Sequence, residues 1–276
     1  MGQTKQAMSP TPFAIVTGAG SGIGYAFAKE LARRKINLVL VSLPNENLQA
    51  KSESFRREFG IQAIYFEADL SDEDQIKNFH QFVVDRGISI GYLINNAGIG
   101  SVGAFDSFSP EFYSRQIRVN NVAPVLITRY FLPILKQCNS GYILYVSSLG
   151  SFFNIPNKEV YCASKNFLYS FATSLRDSLR DSEISVSVVC PGPVDTNERL
   201  IKAHKSMKGL ARKAVMSPDE VASFTIRTWL NRQKLIVPGR LNRMSLLLNR
   251  LLPHPVKRFM FQKEMKRQAA LASENG

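Results

Sequence analysis

Thiols and imidazoles are scarce in this 276-residue chain, which has three cysteines and three histidines. Cys138, Cys162 and Cys190 show no paired spacing, which excludes a disulfide framework and predicts small buried hydrophobes in a reducing compartment. His80, His204 and His254 are too scattered to form a ligand set, so no metal is expected. No apolar run approaches the ~18 residues that a membrane span requires. The opening residues are polar and lack the apolar core of a signal peptide. Gln6 stands where the myristoylation pattern after Gly2 needs serine or threonine. Together these absences predict a cytoplasmic protein.

Acids are also missing, but only locally. The chain carries a formal net charge of +13. Residues 199–213 hold Arg199, Lys202, Lys205, Lys208, Arg212 and Lys213 and no acid, and residues 240–267 hold eight Arg or Lys and only Glu264. These two segments account for the whole excess. Neither carries a nucleic-acid recognition motif, and together they hold few aromatics to stack bases, so nucleic acid is not an expected partner.

What is present is an alternation of apolar strands and helical patterns. Strands are predicted at Phe13–Thr17, Asn37–Ser42, Ala63–Glu67, 92–95, 141–147 and 185–190, with a possible last one at 235–237. Several are continuous apolar runs, as in a parallel sheet covered on both faces. Such alternation predicts an α/β, Rossmann-type doubly wound parallel sheet flanked by helices, with the ligand at the carboxyl ends of the strands. A chain of this length can bury one sizeable core, and no interior linker or repeat marks a second domain. The expected organisation is one catalytic domain over 1–240, with a loose arm at 1–12 and a substrate loop near 197–213. A basic amphipathic helical extension over 241–276 completes it.

The first strand runs into Thr17-Gly18-Ala19-Gly20-Ser21-Gly22-Ile23-Gly24 and then a helical pattern. Glycines let a backbone approach a pyrophosphate, whose charge the helix N-terminus favours. The spacing differs from the usual Gly-x-Gly-x-x-Gly fingerprint. Further on, Tyr161 and Lys165 stand four apart, and Ser148 lies thirteen positions before the tyrosine. Four-apart residues share a helix face, so the ammonium is expected to draw the phenol pKa down towards working pH. Such a phenol can exchange a proton with a carbonyl or alcohol oxygen. Alone, that pair reads more simply as a surface pair, since such spacing arises often by chance.

In chain order the motifs are the glycine turn, Asp69-Leu70, Asn95-Asn96-Ala97-Gly98, Asn120, Ser147-Ser148, Tyr161-Cys162-Ala163-Ser164-Lys165 and Pro191-Gly192-Pro193-Val194-Asp195-Thr196. On them the chain is identified as a member of the short-chain dehydrogenase/reductase family, over roughly residues 12–200. Its C-terminal pattern and the strand at 38–42 are reminiscent of the 3-ketoacyl and 17β-hydroxysteroid reductase branch.

The resemblance implies an NAD(P)-dependent oxidoreductase that transfers hydride between nicotinamide and a carbonyl or secondary alcohol. A reductase of a hydrophobic or acyl-type ketone is expected. Tyr161 is implied as general acid/base, with Lys165 lowering its pKa and holding the ribose. Ser148 would orient the substrate oxygen. Asn120 would help hold a water in a proton relay; Asn121 competes for that place, but Asn120 follows Val119 as in the family pattern. Implied cofactor contacts are Gly18, Ser21, Gly22, Ile23, Gly24, Ser42, Asp69, Leu70, Asn96, Ala97, Gly98, Tyr161, Lys165, Pro191, Gly192, Val194 and Thr196.

Ser42 occupies the place of the acid that hydrogen-bonds the NAD ribose, and Leu43 the place where an arginine commonly follows. An absent carboxylate removes repulsion against a 2′-phosphate, and Arg33, Arg34 or Lys35 could supply charge. NADP(H) is therefore expected over NAD(H).

Phe105, Phe108, Phe152, Phe153 and Ile155 fall in segments that border the substrate pocket in this family, or else in its core. The basic residues of 199–213 could attract an anionic substrate such as a thioester or phosphorylated lipid. The C-terminal extension could lie on a membrane surface, cover the cleft or dock on another subunit. Pairing as a homodimer or homotetramer is expected through helices over 111–136 and 161–181. The rival reading is an NAD(P)-binding redox sensor or scaffold without turnover, in which Tyr161 would be dispensable.

Overall fold

The structure, a computed structural model, describes residues 11–205 and 207–251. Seven apolar runs form strands: β1 (Phe13–Thr17), β2 (Asn37–Ser42), β3 (Ala63–Glu67), β4 (Ile90–Asn95), β5 (Gly141–Val146), β6 (Ile184–Val189) and β7 (Leu235–Ile236). All pair in parallel, in the order β3-β2-β1-β4-β5-β6-β7. Every predicted strand is present with ends shifted by at most two residues. The largest shift is at β4, where Phe13 pairs with Ile90 across a register irregularity.

Alternation along each strand divides the core into two layers. Ala14, Val16, Leu38 and Leu40 face one layer, closed by α1 (Gly22–Arg33), α2 (Leu48–Phe59) and α9 (Pro218–Leu230). Ile15, Val39 and Val41 face the other, closed by α3 (Glu73–Asp85), α5 (Ala123–Leu135) and α6 (Glu159–Ser178). Trp229, the one tryptophan, is fully buried and donates to the Ile143 carbonyl at 3.3 Å.

The helix expected over 111–136 is interrupted. It consists of α4 (Pro110–Ile117), a π-helical turn at Arg118–Val122, and α5. Pro124 has no N–H to give the Asn120 carbonyl, so the α ladder cannot continue there. π-turns of this kind inside α-helices are frequently found at functional sites.

The segment 197–213 folds as α7 (Glu198–Lys205) and α8 (Gly209–Lys213), and the extension begins as α10 (Arg240–Leu251). Asn249 of α10 donates to the Phe152 carbonyl at 2.9 Å, and Leu246 joins the core, which docks this helix beside the end of β5. The remaining extension, 252–276, and most of the expected arm lie outside the described residues. Among the described residues no helix is long and apolar enough to cross a membrane.

Candidate active site

Strand order reverses at β1, whose neighbours are β2 on one side and β4 on the other. This is the switch point at which an open parallel sheet leaves a crevice. The loop after β1 is pinned there by Thr17, whose hydroxyl accepts from the Asn96 and Ala97 amides at 2.9 and 3.1 Å. Asn96 returns its side-chain amide to the Thr17 and Gly18 carbonyls at 2.9 and 3.2 Å. Gly18 and Gly22 adopt positive φ, 64° and 54°. At Gly24 a methyl would run into the Gly18 carbonyl oxygen and the Asn96 amide. Asn96 and the glycine turn are thus one packed unit.

Two clefts open at the strand ends. The first, about 360 Å³, is bordered by the glycine turn (Gly18, Ser21, Gly22, Ile23 and Gly24). Ser42, Asp69, Leu70, Asn96, Ala97, Gly98, Lys165 and Thr196 line it as well. The second is larger, about 820 Å³, and is bordered by Ser148, Leu149, Phe153, Ile155 and the 191–207 segment. Tyr161 lines both clefts, as do Ile23, Gly98 and Thr196. Pro191, Gly192 and Val194 face the second cleft only, not the first. Gly192 is held off by Asn242 of α10: a methyl there would lie 2.5–2.6 Å from the Asn242 amide carbon and nitrogen.

The first cleft fits a dinucleotide. The N-terminus of α1 opens onto it with no side-chain cap from Ser21, and the bare glycine backbone admits close approach.

Tyr161 and Lys165 stand one turn apart on α6. The phenol pKa is raised, chiefly by burial and against the pull of a hydrogen bond from Ser148. The expected downward shift from Lys165 is absent because the ammonium is 6.0 Å from the ring centroid and donates instead to the Val146 carbonyl at 2.9 Å. Lys165 is buried itself, and desolvation lowers its pKa to about 8. Ser148 caps a single turn of 3-10 helix at Leu149–Phe152, accepting from the Gly150 amide at 3.0 Å.

Asn120 lines neither cleft. Fully buried, it accepts from the Ile99 amide at 2.7 Å and donates to the Ile99 carbonyl and the Ser164 hydroxyl at 3.0 and 2.9 Å. It thereby joins the loop after β4 to α6 behind Tyr161. Asn121 donates to the Ser164 carbonyl at 2.9 Å.

Arg33, Arg34 and Lys35 are not phosphate ligands. The two arginines pair with Glu30 at 3.5 and 3.0 Å, and Lys35 donates to the Phe59 carbonyl at 2.7 Å. All three belong to the end of α1 that lies away from the cleft. Of the basic residues in 199–213, Arg199 alone lines the second cleft. Phe108, Phe153 and Ile155 line it, whereas Phe105 stacks on Tyr113 and Phe152 packs edge-on against Tyr169.

Three features went unread in the sequence. Arg115 reaches from α4 to Asp69 at 3.0 Å across the rim of the first cleft. Burial raises the Asp69 pKa, but hydrogen bonds from Ser71 and the Arg115 charge outweigh it and leave the carboxyl below its ordinary value. His204 Nδ1 meets Asp195 Oδ1 at 2.5 Å, placing an imidazole in the wall of the second cleft. Glu46 enters the first cleft beside Ser42. None has a motif, because each is placed by a loop or by a helix from another part of the chain.

A family model described as short chain dehydrogenase matches residues 12–205. The mouse protein 17-beta-hydroxysteroid dehydrogenase type 3 is 33% identical over 191 residues, which span 67% of this chain and 60% of that protein's length. A solved short-chain dehydrogenase from Sphingobium yanoikuyae in complex with NADPH superposes with a TM-score of 0.74 at 26% identity, covering 95% of each chain. One from Burkholderia phymatum in complex with NAD gives 0.75 at 25% identity, covering 88% of this chain and 94% of that one.

Proposed function

Because the chain belongs to the short-chain dehydrogenase/reductase family of NAD(P)-dependent oxidoreductases, we propose that it reduces the carbonyl of a largely apolar ketone, with Tyr161 as the proton donor. The observation that carries this reading is the position of Tyr161, on the wall shared by the two clefts. A group there can serve a reacting carbon held between a dinucleotide on one side and a substrate on the other.

A bound nicotinamide would supply the hydride. The chain's own residues then do the rest. Gly18, Gly22 and the N-terminus of α1 would hold the pyrophosphate. Lys165, at the end of the first cleft nearest Tyr161, would hold ribose hydroxyls with the ammonium hydrogens that Val146 leaves free. Ser148 donates a hydrogen bond to the substrate oxygen and steadies the negative charge that grows there. Tyr161 passes its phenolic proton to that oxygen as the new C–H bond forms, and the phenolate recovers a proton from solvent. Burial keeps the phenol protonated at neutral pH, which suits the reducing direction. Asn120 acts one layer back, fixing the loop after β4 against α6.

Phe108, Phe112, Leu149, Phe153 and Ile155 give the second cleft an apolar lining, and Arg199 and His204 mark its far wall. This supports a substrate with a hydrophobic body, its polar end near α7. Phe167, 45% exposed on α6 and stacked on Phe171, supports pairing of copies through that helix.

The test is Tyr161→Phe assayed with apolar ketones and a nicotinamide dinucleotide. We expect dinucleotide binding to survive and kcat to fall by about 100-fold or more. Unchanged turnover in the variant would overturn the role given to Tyr161.

A further inference from the structure

β2 ends without an acid, yet the structure puts a carboxylate in its place. The turn between β2 and α2 passes through Asn45 and Asn47, both in the left-handed region with φ of 69° and 54°. This tight path swings the residue between them, Glu46, back over the end of its own strand. Its carboxylate accepts a hydrogen bond from the buried Ser42 hydroxyl and lines the first cleft. Lys51 braces the turn from α2 by donating to the Glu46 carbonyl, and does not itself line the cleft.

Gly20 shows how closely the side chain is seated. A methyl at that position would overlap the Glu46 carboxylate and lie 2.7 Å from the Glu46 Cβ. Gly20 has no positive φ, so room for Glu46, rather than backbone conformation, is what makes glycine necessary there. The glycine turn and the acid are built against each other.

We infer that Glu46 makes the first cleft selective for NAD(H) over NADP(H). This rests on reading that cleft as the dinucleotide site. Were the pyrophosphate held at the N-terminus of α1, Ser42 and Glu46, which line the same cleft at the end of β2, would be the residues to meet the adenosine ribose. A carboxylate accepts hydrogen bonds from a free ribose hydroxyl and repels a 2′-phosphate. The cations that line the cleft do not offset it: Arg115 is paired with Asp69, and Lys165 lies at the Tyr161 end. The expectation of NADP(H) assumed that no carboxylate was present, and Glu46 removes that assumption.

The experiment is a pair of equilibrium titrations, NADH and NADPH, followed by nicotinamide fluorescence and by thermal shift on the full chain. One like charge near the phosphate is expected to weaken NADPH about tenfold or more relative to NADH. Raising the salt should narrow that gap. Glu46→Gln, which keeps the shape and the Ser42 contact, should bring the two affinities within about threefold, and Glu46→Lys should invert the order. Equal or tighter NADPH binding by the unaltered protein would overturn the inference, as would an unchanged ratio in a folded Glu46→Gln. Binding of neither dinucleotide would instead bring down the site reading on which it rests.

Discussion

The Lys165 ammonium lies 6.0 Å from the centre of the Tyr161 ring but gives its hydrogen bond to the Val146 carbonyl, 2.9 Å away. The lysine is therefore placed by the end of β5, not by the phenol, and burial lowers its pKa from 10.5 to about 8.

That shift has a stability consequence with a definite sign. Between about pH 8 and 10.5 the unfolded chain keeps the Lys165 proton while the folded chain has released it. The unfolded state then binds more protons, so raising the pH favours the folded state. Burying the charge is a full cost below about pH 8, and the cost is relieved as the pH rises towards 10.5. Thermal melts of the unliganded protein and Lys165→Met across this range should show the wild type gaining on the variant. A constant difference between the two would count against the buried, depressed ammonium.

Asn120 makes an assignment that only an amide can satisfy, accepting from the Ile99 amide and donating to the Ile99 carbonyl and the Ser164 hydroxyl. Asn120→Asp keeps the size but sets an oxygen against the Ile99 carbonyl. The loss of stability should be about 2–4 kcal/mol and larger at pH 8 than at pH 5, where protonation restores a donor. Denaturant melts at the two pH values would measure it, and equal losses would contradict the geometry.

Two glycine-to-alanine changes should separate space from conformation. Gly60 closes α2 at φ 62° with nothing within 4 Å of a methyl. Its alanine variant should lose about 1–2 kcal/mol and bind dinucleotide normally. At Gly24 the obstacles are the Gly18 carbonyl and the Asn96 amide, which cannot move without undoing the loop. Gly24→Ala should cost about 3 kcal/mol or more and abolish dinucleotide binding. Near-normal binding by a folded Gly24→Ala would show that the turn tolerates rearrangement.

The amino-acid sequence alone determined the sheet and the order of its strands' motifs. Continuous apolar runs such as Phe13–Thr17 and Asn37–Ser42 are set by local hydrophobicity and the period of a buried strand, which no tertiary contact needs to supply. The glycine turn was legible from the strand and helix that flank it. Ser148, Tyr161 and Lys165 were legible from the ordered set of motifs that resembles the family, since the spacing of the tyrosine and lysine alone would not single them out.

What the tertiary structure decided is everything that depends on two distant segments meeting. Arg115 reaches Asp69 from 46 positions away. Lys165 takes its partner from β5, and burial of Tyr161 raises the phenol pKa where a lowering was expected. The break at Asn120 is set by Pro124 and by the Ile99 loop together. Glu46 is close to Ser42 in sequence, yet its entry into the cleft follows from two left-handed asparagines and a glycine 26 positions earlier. A turn's path and the space left beside a backbone are properties of the folded chain, and residue types along a strand do not encode them.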